Sequence, residues 1–114
     1  MPVSATFLLP FVATLIVLAV PALADDPIIL TLKNNRFTPD AITVPAGERL
    51  RIEVKNEDAT PAEFESSDLR VEKIAPPGIA ISVRVGPLKP GSYKFFDDYH
   101  PDTAHGSLTA VKKD

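Results

Sequence analysis

The chain contains no cysteine. Disulfides, iron–sulfur ligation, thiol catalysis and thiolate copper or zinc sites are thereby excluded together. The single methionine is Met1, so no thioether elsewhere can serve a soft metal. Tryptophan is also absent, which counts against a sugar cleft worked by paired carboxylates, since such clefts usually rely on exposed rings. No glycine-rich phosphate loop leads into a helix, and none of Ser66, Ser67, Ser82, Ser92 and Ser107 sits in a nucleophile elbow. Blocks of like charge are missing too. The 12 basic and 15 acidic residues, net −3, are scattered after residue 24, which describes a solvated surface and not a nucleic-acid face.

Between Met1 and Ala24 there is no charged side chain at all. An apolar stretch runs from Phe7 to Val20, and Ala22-Leu23-Ala24 precedes Asp25 and Asp26. This is the pattern of a signal helix with a peptidase site, so residues 1–24 are expected to be a signal peptide cleaved after Ala24, leaving residues 25–114 as a periplasmic or secreted domain. The alternative is an uncleaved N-terminal membrane anchor, because the opening lacks Lys and Arg. Pro10 inside the span and Pro21 at its end favour cleavage. Both readings export residues 25 onward. A domain of that size buries only about 60 to 65% of its unfolded surface, which leaves room for chemistry at a rim or loop cluster and not in a deep cleft.

Beyond Asp26 the chain reads as short strands. In Arg49–Lys55 the residues Leu50, Ile52 and Val54 alternate with charged neighbours, and Ile79, Ile81, Val83 and Val85 alternate with Ala80, Ser82 and Arg84. Further strands are expected over Ile28–Lys33, Ile42–Val44, Leu69–Ala75, Ser92–Asp97 and Ser107–Lys112. The five glycines fall between these runs, four of them beside or near proline, and so mark turns. About seven strands with no helical period describe an all-β, antiparallel Greek-key sandwich. Leu69–Ala75 is irregular, with Lys73 on the side of Leu69 and Val71 and with Ile74 opposite. A bulge or an early end to the strand is expected there.

Metal-binding side chains concentrate in two stretches. In Glu63-Phe64-Glu65 the two carboxylates project to one side of an extended chain, roughly 6.5 to 7 Å apart at Cα, while Phe64 turns to the core. That arrangement suits either a cation clamp or a solvated edge strand. The second stretch, Asp97 to Gly106, holds Asp97, Asp98 and both histidines, His100 and His105, in a loop between the last two expected strands. Tyr93, Phe95 and Asp97 share a side, so that strand carries two core aromatics and then a carboxylate. The loop is either a ligand cluster or a charged turn that keeps a hairpin soluble.

The runs Arg36-Phe37-Thr38-Pro39, Ile42-Thr43-Val44-Pro45-Ala46-Gly47 and Val54-Lys55-Asn56 resemble the opening of small cupredoxin-like domains. Gly86-Pro87-Leu88-Lys89-Pro90-Gly91-Ser92-Tyr93-Lys94-Phe95-Phe96 resembles their penultimate turn and strand. By the blue-copper pattern Asp97 stands where the Cys ligand would be, His100 at the second His, His105 at the Met, and Ala62 or Glu63 at the first His. Three of four ligands are thus replaced, so blue-copper electron transfer is not implied. Glu63-Phe64-Glu65-Ser66 and Tyr99-His100-Pro101-Asp102-Thr103-Ala104 are similar to the cupredoxin-like component of bacterial ferrous-iron uptake systems. That resemblance implies an exported protein working beside a periplasmic iron-binding protein and an iron permease, with copper as cofactor, iron as substrate or ligand, and ferroxidase activity. Glu63, Glu65 and His100 are then the first expected ligands, with Asp97, Asp98 and His105 as outer or substitute ligands. The competing expectation is a metal-free module docking on a membrane transport partner through Phe96, Tyr99 and Pro101.

Overall fold

The computed structural model describes residues 26–113, so the expected leader lies outside the described residues. Nine strands form there: β1 (Ile28–Lys33), β2 (Arg36–Thr38), β3 (Ala41–Pro45), β4 (Leu50–Asn56), β5 (Ala62–Ser66), β6 (Val71–Ala75), β7 (Ala80–Val85), β8 (Gly91–Asp97) and β9 (His105–Val111). They make a four-stranded sheet in the order β2-β1-β4-β7 and a five-stranded sheet in the order β3-β9-β8-β5-β6. The expected sandwich is present, with β2 and β5 added to the seven expected strands. β2 exists because Asn34 and Asn35 take φ of 52° and 57°, the left-handed pair that closes a two-residue hairpin. Their N–H groups donate to the Asp58 carboxylate at 2.7 and 2.9 Å, which holds the turn.

Pairing is not purely antiparallel, as the turn pattern led one to expect. β1 runs parallel to β4 and β3 parallel to β9. The cause is a crossing of sheets: after the β1–β2 hairpin the chain enters the second sheet for β3 and returns for β4, so β4 meets β1 running the same way.

The alternation in β4 is borne out, with Leu50, Ile52, Val54 and Asn56 buried and the residues between them half-buried. Inner faces of both sheets meet in one core, in which Phe37, Phe64 and Phe95 form an aromatic cluster with centroids 5.2 to 6.0 Å apart. Asn56 is also buried, and its polar atoms are satisfied: the two hydrogens of its Nδ2 are shared among the carbonyls of Thr60, Ala75 and Pro76, and its Oδ1 accepts from the Asp58 N–H.

Beyond shifts of one or two residues at other strand ends, the starts of β7 and β6 depart from expectation for identifiable reasons. Ile79 is 51% exposed and precedes β7, its N–H closing a turn onto the Pro76 carbonyl at 3.1 Å. The irregularity in Leu69–Ala75 comes from a late start and not from a bulge: Leu69 is buried in the turn, Arg70 adopts φ of 58°, and β6 begins at Val71. Lys73 does point inward, as its spacing requires, but β6 is an edge strand and the ammonium reaches the Ser82 carbonyl of β7 at 3.1 Å.

Candidate metal centre

β5 is the strand that positions the carboxylates. Ala62, Phe64 and Ser66 are buried while Glu63 and Glu65 are half-buried on the outer face, as the period of two demands. Ser66 anchors the end of the strand, its Oγ donating to the Lys94 carbonyl and accepting from the Leu69 N–H. The hairpin to β6 then sets Glu72 directly across from Glu65, and cross-strand partners share a face. Among the described residues, Glu63, Glu65 and Glu72 form a group whose ligating oxygens all lie within 4.8 Å of one another. Oxygens around a cation at about 2.0 to 2.6 Å from each span up to about 5 Å, so the spacing suits one shared ion.

Proton affinities register the crowding. Glu63 titrates above its usual range, chiefly through a hydrogen bond with Glu72, then through desolvation and the charges of Glu72, Asp98 and Glu65. Desolvation first, and then the charges of Asp98 and Glu72, raise Glu65. The Tyr99 phenol is raised as well, by desolvation and by its charge and hydrogen-bond contact with Glu63. An ionised cluster of this kind is repulsive when empty, and a cation relieves it.

Asp97 ends β8 on the opposite, inner face, 0% exposed. Its Oδ1 accepts from the Glu63 N–H at 2.9 Å and the Tyr99 N–H at 3.0 Å, and its Oδ2 faces His100 Nδ1 at 2.9 Å. The Asp98 N–H in turn donates to the Glu63 carbonyl at 2.9 Å. The two stretches singled out by composition are therefore stitched together along the backbone of Glu63. Their side chains nevertheless divide: Glu63, Glu65, Glu72 and Asp98 interact on the outer face, while Asp97 and His100 pair at the end of the sandwich. Neither histidine belongs to the group of three carboxylates.

His105 lies in β9 and not in the loop, its backbone paired with Phe96, which in turn pairs with Glu65. A row Glu72–Glu65–Phe96–His105 thus crosses four strands of the outer face, and Phe96 separates His105 from the carboxylates. His105 instead lines an open recess of about 680 Å³ with Asp40, Lys94, Phe96 and Pro101. Glu72 escaped the sequence reading, and Tyr99 entered it only in the loop resemblance and as a docking residue, not as a neighbour of Glu63. The turn Ser67-Asp68-Leu69-Arg70 was the available signal for Glu72, because folding the chain there as a hairpin brings it opposite Glu65.

A family model described as a cupredoxin-like domain matches residues 6–110. The chain belongs to the cupredoxin-like domain family. An uncharacterized protein of Rickettsia prowazekii (strain Madrid E) is 44% identical over 79 residues, which cover 69% of this chain and 63% of that protein. The cupredoxin-like chain thus spans less than two thirds of that relative's length. Amicyanin from Paracoccus versutus superposes with a TM-score of 0.60 at 16% identity, covering 75% of this chain and 82% of its own. Auracyanin A, a "blue" copper protein from Chloroflexus aurantiacus, superposes with a TM-score of 0.66 at 15% identity over 76% of this chain and 99% of its own. At these identities the likeness shows the fold.

A thiolate copper centre does not fit these residues. The chain has no cysteine, Ala62 offers no donor, and the Asp97 carboxylate is already occupied by three hydrogen-bonding groups. Carboxylate oxygens with at most an imidazole suit Cu(II), Fe(II) or Fe(III) in preference to Cu(I).

Proposed function

We propose that this cupredoxin-like protein is an exported metal-binding protein that takes copper or iron on carboxylate and histidine ligands and serves ferrous-iron uptake beside a periplasmic iron-binding protein and an iron permease. The observation that carries the reading is the convergence of Glu63, Glu65 and Glu72 within 4.8 Å on one sheet face, next to a backbone that also holds His100. In an enzymatic form Glu63, Glu65 and Glu72 would hold the iron while four Fe(II) each give one electron to a single dioxygen, which takes up four protons and leaves as two waters. The resemblance of Glu63-Phe64-Glu65-Ser66 and of the Tyr99–Ala104 loop to iron-uptake cupredoxins supports the choice of metal. Export rests on the leader pattern before Asp25; among the described residues no helix is long and apolar enough to cross a membrane.

Calorimetric titration of the protein with Cu(II), Fe(II) and Zn(II), with Glu63→Gln/Glu65→Gln alongside, tests the proposal. Saturable binding of one ion that the double substitution abolishes is expected. Weak binding without stoichiometry, unchanged in the variant, refutes it, and binding without accelerated Fe(II) consumption under oxygen reduces the role to that of a carrier. A second reading, a metal-free module docking on a transport partner, draws on Tyr99 at 44% exposure and on the recess lined in part by Phe96 and Pro101.

A further inference from the structure

Asp97 is a fully buried carboxylate with three contacts from two parts of the chain: the N–H of Glu63 in β5 and, in the loop that follows β8, the N–H of Tyr99 and the ring of His100. An ionised carboxylate can only accept. Its Oδ1 is held by the two backbone donors, so Oδ2 is the atom that meets the imidazole, and the ring nitrogen facing it must carry a proton. The main chain that carries the ring is tied down on both sides. The His100 N–H donates to the Asp97 carbonyl at 3.0 Å, the Asp97 N–H donates to the Ala104 carbonyl at 2.9 Å, and the His100 carbonyl accepts from Ala104 at 2.9 Å. The imidazole side chain is 32% exposed.

We infer that Asp97 is a positioning residue for His100, locking the neutral imidazole with its proton on Nδ1 and so presenting Nε2 as an unprotonated nitrogen donor for a divalent cation at the end of the sandwich. Metal-ligating histidines are commonly oriented by a carboxylate on the other ring nitrogen in this way. Asp97 thereby orients a ligand in place of being one, three of its roughly four lone-pair sites being committed, and His100 stands as a separate donor from the Glu63, Glu65 and Glu72 group. The tautomer lock does not depend on the metal-binding reading; the use of Nε2 by a cation does.

Nitrogen-15 NMR of the histidine rings, in alkaline buffer where they are neutral and with chelator present, decides the first part. The expected result is Nδ1–H for His100 in the wild type. Asp97→Asn sharpens the test: the two backbone donors keep the amide oxygen at the Oδ1 position, the amide NH₂ then faces Nδ1, and the proton moves to Nε2. An Nε2–H ring in the wild type, or an unchanged tautomer in Asp97→Asn, overturns the lock. The wild-type spectrum decides alone if the variant does not fold. Zn(II) titration reads the second part: the His100 Nε2 resonance is expected to shift on binding, with affinity lowered about 10- to 100-fold in Asp97→Asn. A locked Nδ1–H ring whose Nε2 resonance ignores Zn(II) refutes the donor role while leaving the tautomer assignment standing. If Zn(II) shifts Nε2 even when Glu63→Gln/Glu65→Gln has abolished the calorimetric site, His100 is a donor in its own right.

Discussion

Truncating Asp97 to alanine should be among the most damaging single changes at this end of the protein, and the structure gives its approximate size. The substitution leaves the Glu63 and Tyr99 N–H groups facing a gap, where the wild type holds them at 2.9 and 3.0 Å from Oδ1. Each stranded donor costs about 1 to 3 kcal/mol, and loss of the His100 contact adds to that. Both bonds are only partly buried at their outer ends, so water recovers some of the loss, and the expected destabilisation is about 3 to 4 kcal/mol. Asp97→Asn keeps the oxygen that serves both backbone donors and should cost only about 1 kcal/mol. Urea unfolding with an m-value of roughly 1 kcal/mol/M, reasonable for a domain this small, turns those figures into midpoint shifts of about 3 to 4 M and about 1 M. The ratio is the diagnostic quantity. If alanine and asparagine cost the same, or if both cost under about 0.5 kcal/mol, the carboxylate does not clasp β5 to the loop, and the placing of His100 loses its support.

Glu72→Gln should weaken divalent-cation binding in calorimetry while raising the thermal midpoint of the metal-free protein at neutral pH, because the same carboxylate that serves a cation crowds Glu63 and Glu65 without one; a lowered midpoint would contradict the repulsion. The pH dependence has a definite sign. Glu63 and Glu65 titrate above the ordinary value of 4.5, so between that value and their raised ones the folded state binds more protons than the unfolded state. Their contribution to stability therefore falls as pH rises through that window. The difference in thermal midpoint between wild type and Glu63→Gln/Glu65→Gln, followed from pH 7 to pH 4.5, should shrink on acidification, and a widening gap would refute the assignment. Gly106→Ala should destabilise by about 1 to 3 kcal/mol in urea unfolding, since an added Cβ would press on the Asp40 carbonyl and the Phe95 ring; a neutral result would mean that β9 can slide on Phe95. Phe95→Ala, which empties the centre of the aromatic cluster, should cost about 3 to 5 kcal/mol by the same assay.

The strands whose side chains alternate were legible because that period needs no knowledge of what they pair with. β4, the inward turn of Phe64, and the shared side of Tyr93, Phe95 and Asp97 all follow from residues within one segment. The pairings were less legible, because register is a relation between segments. Glu72 becomes a neighbour of Glu65 only when the Ser67–Arg70 turn folds β6 back, and its own surroundings, with Lys73 inward and Ile74 52% exposed, read as disorder in the pattern. The parallel contacts of β1 with β4 and of β3 with β9 depend on where the chain changes sheets, which turn residues do not encode.

Asp97 and Asp98 show why composition overstated the unity of the site. They are adjacent, identical in chemistry and equal in any count of acidic residues, yet they meet different surroundings. Asp97 shares the inward side of Phe95 and is committed to two N–H groups and an imidazole. Asp98, one residue on, is exposed and interacts with Glu65 on the outer face. The stretch of mixed acids and histidines is therefore two places joined through one backbone, that of Glu63, whose N–H belongs to the inner carboxylate and whose carbonyl accepts from Asp98. Occupancy on the outer face and the orientation of His100 can then influence each other through movement of β5 at Glu63 and through Tyr99, whose phenol meets Glu63 and whose N–H donates to Asp97. A cation that draws Glu63 toward Glu65 and Glu72 should accordingly appear first in the Glu63 and Tyr99 amide resonances and only through them at His100, whereas a simultaneous direct shift of the His100 ring would mean that a single ion spans the two faces.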